Sequence, residues 1–181
     1  MIKRRTRLAA LIFSLLLVLS GCAAAEQAAE PTATPWPTNE AGMPYLLYDY
    51  PQSPMTFTDL QGKAIYLNFF TTWCYYCKVE MPELYKIHQT YGDQVQVILI
   101  HVPSDDTEEA AVQYLKENGY DSMRMVEDKD FFLTSFYQLE GFPLSVVIDK
   151  DGFLAMYQAG AMTYEQMEQA LAAAGVETAA E

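Results

Sequence analysis

The stretch from Ala64 to Tyr91 restricts the folds open to this chain more than any other. Ala64 to Phe70 is a continuous apolar run broken only by Asn68, which reads as a strand buried on both faces of a sheet. Trp73-Cys74-Tyr75-Tyr76-Cys77 follows almost at once. From Cys74 to Tyr91 the pattern becomes helical, with Val79, Leu84, Ile87 and Tyr91 among the apolar positions. A buried strand that feeds a helix through a pair of cysteines is the beginning of an α/β domain.

The rest of the chain continues the alternation. Gln94 to His101 is a second buried strand, rich in β-branched residues. Thr107 to Asn118 reads as a helix: Thr107 starts it, Glu108 and Glu109 fill its first turn, and Gly119 ends it. A short strand over Ser122 to Glu127 and a helix over Asp130 to Leu139, aromatics inward, come next. Leu144 to Asp149 is a third buried strand, Lys150-Asp151-Gly152 a tight turn, and Phe153 to Gln158 an antiparallel return. Thr163 to Ala174 is a closing helix, stopped by Gly175. Upstream, Tyr45 to Tyr50 suits an edge strand or a packed lead-in, and Met55 to Thr58 a short strand. The expected architecture is an α/β three-layer sandwich, a mixed central sheet with helices on both faces.

The cysteine spacing carries the chemistry. Residues i and i+3 share a helical face, so Cys74 and Cys77 can form a bond of ordinary geometry. Cys74 falls at the helix N-terminus, where unpaired N–H groups and the helix dipole favour the thiolate, the reactive form. Cys77 lies a turn deeper. Cys74 is therefore the expected nucleophile and Cys77 the resolving residue. Two other readings compete. Half a zinc site needs a second ligand pair, and His88 and His101, the only histidines, are not spaced to supply one. A structural bridge is the stronger competitor. The strand–motif–helix context favours redox chemistry over both. His101 reads as a packed or solvated strand-end residue, and the methionines as filler rather than copper ligands. No metal or cofactor is expected.

The N-terminus bears on the compartment. Lys3, Arg4, Arg5 and Arg7 precede an apolar stretch, Leu8 to Leu19, which has the length of a signal-peptide core and is short for a membrane span. Leu19-Ser20-Gly21-Cys22 resembles the lipobox of bacterial lipoproteins; that resemblance implies a lipidated Cys22 and an anchor in the membrane. An ordinary signal peptide with an incidental Cys22 is the alternative. Ala23 to Gly42 is rich in Ala, Glu, Pro and Thr without periodicity and reads as a tether. The expected organisation is a signal peptide over 1–21, a lipidated cysteine and tether over 22–53, a folded domain over 54–176 and a tail over 177–181. The formal net charge of -13 argues against a nucleic-acid partner.

Several segments together resemble the thioredoxin fold, and more narrowly its membrane-anchored extracytoplasmic branch of TlpA/ResA type. They are Asp59-Leu60-Gln61-Gly62-Lys63, Leu67 to Cys77, Glu80-Met81-Pro82, Gly141-Phe142-Pro143 and Val147 to Gly152. The resemblance implies a cis Pro143 opposite the cysteines, with a neighbouring backbone edge for an extended substrate. It also implies a helix kinked at Pro82. Glu80 becomes the carboxylate near the cysteines and a proton shuttle; a solvated helix residue is the alternative. Trp73 shields the disulfide and touches substrate, or simply packs. Tyr75-Tyr76 stands where the family often has a proline, and Phe142 and Leu144 flank Pro143 where it commonly places Thr. With Trp73 and Pro143, the residues Tyr75, Tyr76 and Phe142 form the expected substrate surface.

The function implied is an extracytoplasmic thiol–disulfide oxidoreductase on the outer face of the bacterial cytoplasmic membrane, or the periplasmic side of an envelope membrane. Its expected task is keeping exported protein thiols, such as those of apocytochrome c, reduced, with electrons from a membrane protein and the chain acting as a monomer. An oxidase or isomerase for secreted proteins is the alternative, and a lipid-anchored metallochaperone or binding module a more distant one. No Pro-x-x-x-Thr-x-x-Cys segment is present, which argues against a peroxidase.

Overall fold

The computed structural model describes residues 62–178. The expected signal peptide, Cys22, the expected tether, the expected strands at 45–50 and 55–58 and the segment 59–61 lie outside the described residues. Within them the element order is β1 (Ala64–Phe70), α1 (Tyr75–Tyr91), β2 (Val95–His101), α2 (Glu108–Glu117), β3 (Arg124–Glu127), α3 (Phe132–Phe136), β4 (Leu144–Ile148), β5 (Leu154–Ala159) and α4 (Tyr164–Ala173).

The strands form one five-stranded sheet in the order β3-β2-β1-β4-β5. β1, β2 and β3 run parallel, β4 is antiparallel to β1, and β5 is antiparallel to β4. The sheet is therefore mixed. β1 is central and every one of its residues is buried, which is why it reads as a solid apolar run rather than an alternation. Its side chains still alternate between faces. Tyr66 and Phe70 join a cluster with α1, α4 and Ala111 and Leu115 of α2. Ile65, Leu67 and Phe69 join a second cluster with β4 and with Leu133 and Tyr137 around α3.

Two expectations need correction. On α1 the inward stripe is Cys77, Glu80, Met81, Leu84, Ile87 and Tyr91, the spacing of a single helical face. Val79 falls between these positions and is 52% exposed. The helix expected over 130–139 shrinks to Phe132–Phe136. The carboxylate of buried Asp128 takes the N–H groups of Leu133 and Thr134 and the Thr134 hydroxyl, which fixes where the turn starts. Left-handed backbone at Phe131 (φ 53) and Gln138 (φ 52) closes it at both ends.

The turn between β4 and β5 is held by Asp149, whose Oδ1 accepts from the N–H groups of Asp151 and Phe153, with Gly152 supplying φ 92. α2 begins at Thr107, whose hydroxyl oxygen accepts the Ala110 N–H at 3.1 Å. Thr107→Ala is expected to lower the free energy of unfolding by about 1 kcal/mol, read as a shifted midpoint in urea with an unchanged slope.

Candidate active site

The site is built where β1 ends. After Phe70 the chain turns through Thr71, Thr72 and Trp73, and the Cys74 N–H returns to the Thr71 carbonyl at 3.3 Å. Cys74 has extended backbone and caps α1: its Sγ accepts the Cys77 N–H at 3.0 Å. The two cysteines are joined as a disulfide with their Cα atoms 5.3 Å apart. In the reduced state the same capping position offers a Cys74 thiolate a backbone N–H and the positive end of a helix. Lys78, the nearest cation in sequence, directs its Nζ over the Tyr114 ring at 5.8 Å.

Both cysteines are buried, Cys74 at 5% and Cys77 at 1% exposure, while Trp73, Tyr75 and Tyr76 are 53%, 71% and 63% exposed. The rings of Tyr75 and Tyr76 meet edge to face at 5.4 Å. The Phe142–Pro143 peptide bond is cis. β4 follows directly, and its first residue, Leu144, pairs with Phe69, so Pro143 lies at the end of the sheet from which the Cys74 turn departs. Phe142 places its ring edge against Trp73 at 5.7 Å. The Pro143 carbonyl accepts the Gly160 N–H at 2.8 Å. Pro82 lies inside α1.

Glu80 is three residues beyond Cys77 on the inward face of α1 and is 2% exposed. That spacing puts Cβ atoms roughly 5–6 Å apart. Its Oε2 accepts from Asn68 Nδ2 at 2.9 Å and its Oε1 from the Met162 N–H at 3.0 Å. Burial pushes its pKa up to about 7, against the lowering effect of hydrogen bonds from Asn68, Met162 and Ser145. Both protonation states are thus populated at neutral pH, the condition for moving a proton to or from a neighbouring thiol.

The polar chain continues beyond Glu80. Asn68 and Ser145 are directly paired across β1 and β4, and Asn68 Nδ2 also reaches Ser145 Oγ at 3.1 Å. Tyr66 Oη donates to the same oxygen at 3.1 Å. Burial, with Glu80 second, keeps the Tyr66 phenol protonated far above its ordinary range. Tyr66 and Ser145 belong to the site by this network, and neither stands out in the sequence as a site residue. The available signal is Ser145 itself, a hydroxyl inside the apolar run of β4. His101 is a packed strand-end residue: it is completely buried, with Nε2 3.3 Å from Asp106 Oδ2 and Nδ1 3.9 Å from Glu127 Oε1.

A helix-capping disulfide at the C-terminal end of a buried central strand, with a cis proline at the same end of the sheet and a buried carboxylate on the inward face of the helix, defines a thiol–disulfide oxidoreductase on a thioredoxin-type scaffold. The chain belongs to the thioredoxin-like family, whose model matches residues 62–154. It is 32% identical over 125 residues to a thiol-disulfide oxidoreductase ResA of Bacillus cereus, covering 68% of this chain and 70% of that one. It is 29% identical over 113 residues to the thioredoxin-like protein YneN of Bacillus subtilis (strain 168), covering 62% and 66%. Among solved structures, the pneumococcal exposed lipoprotein thioredoxin Etrx1 of Streptococcus pneumoniae strain TIGR4 is similar with a TM-score of 0.58 and 26% identity, over 64% of this chain and 87% of that one.

Proposed function

We propose that this oxidoreductase works outside the cytoplasmic membrane, held there by lipid on Cys22, and that it donates electrons to exported proteins whose thiols must stay reduced, apocytochrome c being one such class. The observation that carries the direction is the electrostatics of the cysteine pair. A strong oxidant is one whose reduced form is stabilised, usually through a well-supported thiolate. Here the helix end supports Cys74, but Tyr75 and Tyr76 carry no positive charge, Lys78 is turned to Tyr114, and the Glu80 carboxylate lies behind Cys77. In its ionised form, one of the two populated at neutral pH, Glu80 opposes a second negative charge and favours the disulfide over the dithiol.

In the donor direction the Cys74 thiolate attacks one sulfur of a substrate disulfide, and the other substrate sulfur leaves as a thiolate. Cys77 gives its proton to Glu80, attacks Cys74 Sγ and releases the second substrate thiol. The enzyme returns to the Cys74–Cys77 disulfide, and a membrane electron donor reduces it again. Trp73, Tyr75, Tyr76 and Phe142 present the aromatic surface against which the substrate chain lies. No helix among the described residues is long and apolar enough to cross a membrane, so the membrane attachment in this reading rests on the N-terminal segment. The sequence Leu19-Ser20-Gly21-Cys22 and the likeness to an exposed lipoprotein thioredoxin support it.

Equilibration of the domain with dithiothreitol redox buffers tests the direction. The expected potential is near that of thioredoxin, about −270 mV; a value near −120 mV, typical of a dedicated oxidase, would overturn the donor reading in favour of disulfide formation in secreted proteins.

A further inference from the structure

The loop between β2 and α2 makes contacts to the active-site turn that the disulfide chemistry does not require. Asp106 accepts the Thr72 N–H on Oδ2, and the Thr72 hydroxyl at 2.8 Å and Thr107 N–H at 2.9 Å on Oδ1. Two residues earlier, the Ser104 carbonyl accepts the Trp73 indole N–H at 2.7 Å. Asp105 between them has φ 51, and this left-handed residue lets a carbonyl and a carboxylate two positions apart both address the Thr72–Trp73 turn. Behind Asp106 stands His101, wholly buried against the Phe70 ring at 5.7 Å, with Nε2 3.3 Å from the Asp106 carboxylate, a close polar contact off the line of a hydrogen bond. Glu127 faces the other ring nitrogen, and Lys129 ties Glu127 to Glu108 at the start of α2.

The consequence falls on Trp73. Its backbone turn is fixed by Asp106, its indole N–H by Ser104 and its ring by Phe142, yet it remains 53% exposed. A large aromatic held from several sides while facing solvent next to Cys74 loses little freedom when a partner lands on it, and preorganisation of that kind strengthens binding.

We propose that Asp106, braced by His101, is a positioning residue for Trp73, and that the pair sets how tightly a protein substrate is held over the cysteines. This rests on the reading of Trp73 as substrate-facing. Asp106 acts through Trp73 and takes no part in the sulfur chemistry, so its removal raises KM and spares kcat.

The test uses insulin as the protein disulfide and dithiothreitol as the electron source, in a Trp36→Phe background where Trp73 is the only tryptophan. Asp106→Ala is expected to raise KM about tenfold, the scale of one charge-assisted hydrogen bond out of the three that Asp106 accepts, with kcat within about twofold. Trp73 emission shifts to the red as the indole leaves Ser104. In a Trp73→Ala background the same substitution adds nothing to KM, because coupled residues are not additive. His101→Phe keeps the ring, loses the nitrogen facing Asp106, and shifts KM and emission in the same direction by less. Should Asp106→Ala fail to fold, Asp106→Asn preserves the shape and carries the same measurements.

Equal KM effects with and without Trp73, or an unchanged emission in the Asp106 variant, would overturn the proposal. A His101→Phe variant identical to its parent in both readouts would remove the bracing role. If the parent protein itself does not reduce insulin, the donor reading fails. The emission comparison needs no turnover and still decides whether Asp106 holds Trp73.

Discussion

Cys74→Ser is expected to reduce insulin no faster than dithiothreitol alone. The nucleophile in disulfide exchange is the thiolate, and a serine hydroxyl at a helix N-terminus cannot supply its equivalent at neutral pH. Among the described residues the only other cysteine is Cys77, and at 1% exposure it is closed to a protein substrate. Cys77→Ser behaves differently. Cys74 still attacks, but nothing resolves the adduct, so a mixed disulfide with insulin accumulates and appears as a higher-mass species on non-reducing gels. Wild-type turnover by Cys74→Ser would show that the capping disulfide is structural and that the chemistry lies elsewhere. Both variants lose the disulfide, so their comparison separates catalysis from stability.

The second large effect concerns Glu80. Its pKa rises from 4.5 in the unfolded chain to about 7 in the folded one, chiefly through burial. The folded protein therefore binds this proton more tightly. Its contribution to stability is fully present below pH 4.5, declines as pH rises through the window to about 7, and is constant above it. A shift of this size corresponds to a loss on the order of 3 kcal/mol. Glu80→Gln, neutral throughout, has no such slope. The measurement is the difference in unfolding free energy between the oxidised wild-type and variant proteins, followed in urea from about pH 4 to about pH 8 so as to span both pKa values. Other titrating groups, Asp106 among them, cancel in that difference. Parallel curves would mean that Glu80 is not held protonated by its surroundings, and its part in proton transfer to the cysteines would lose its basis.

The sequence disclosed elements more readily than partners. β1, β2 and β4 were legible because buried strands in a sheet covered on both faces leave continuous apolar runs, and α2 and α4 because Thr107 and Thr163 announce their first turns. α3 was overestimated because its limits come from the Asp128 carboxylate and from left-handed residues at either end, none of which alters hydropathy. Val79 misled for a related reason: an apolar residue near the site looks like core, but helical geometry gives that place to Glu80. The cysteines and Trp73 were visible because they lie in one compact local motif, and the cis Phe142–Pro143 bond was implied by the family resemblance that Gly141-Phe142-Pro143 helps carry. The Tyr66–Ser145–Asn68–Glu80 network and the His101–Asp106 pair were not. The network joins residues as much as 79 positions apart, and the His101–Asp106 pair depends on how the loop after β2 turns at left-handed Asp105; alternation shows which face of a strand a residue occupies without showing what waits there.

That contrast between local and distant contacts has a consequence for how the protein matures. The cysteines are three positions apart, and the turn and first helical residues that present them are neighbours in the chain. Glu80 is different: one carboxylate oxygen reaches Asn68 twelve positions away, and the other the Met162 backbone, 82 positions away. A chain that emerges N-terminus first has its sulfurs long before it has the segment that completes the Glu80 pocket. Until Met162 is in place, Glu80 lacks one of the two partners that hold its carboxylate in the finished fold. A chain at that stage carries both sulfurs without the completed Glu80 pocket, and docking of the segment between β5 and α4 is the step that brings the two together.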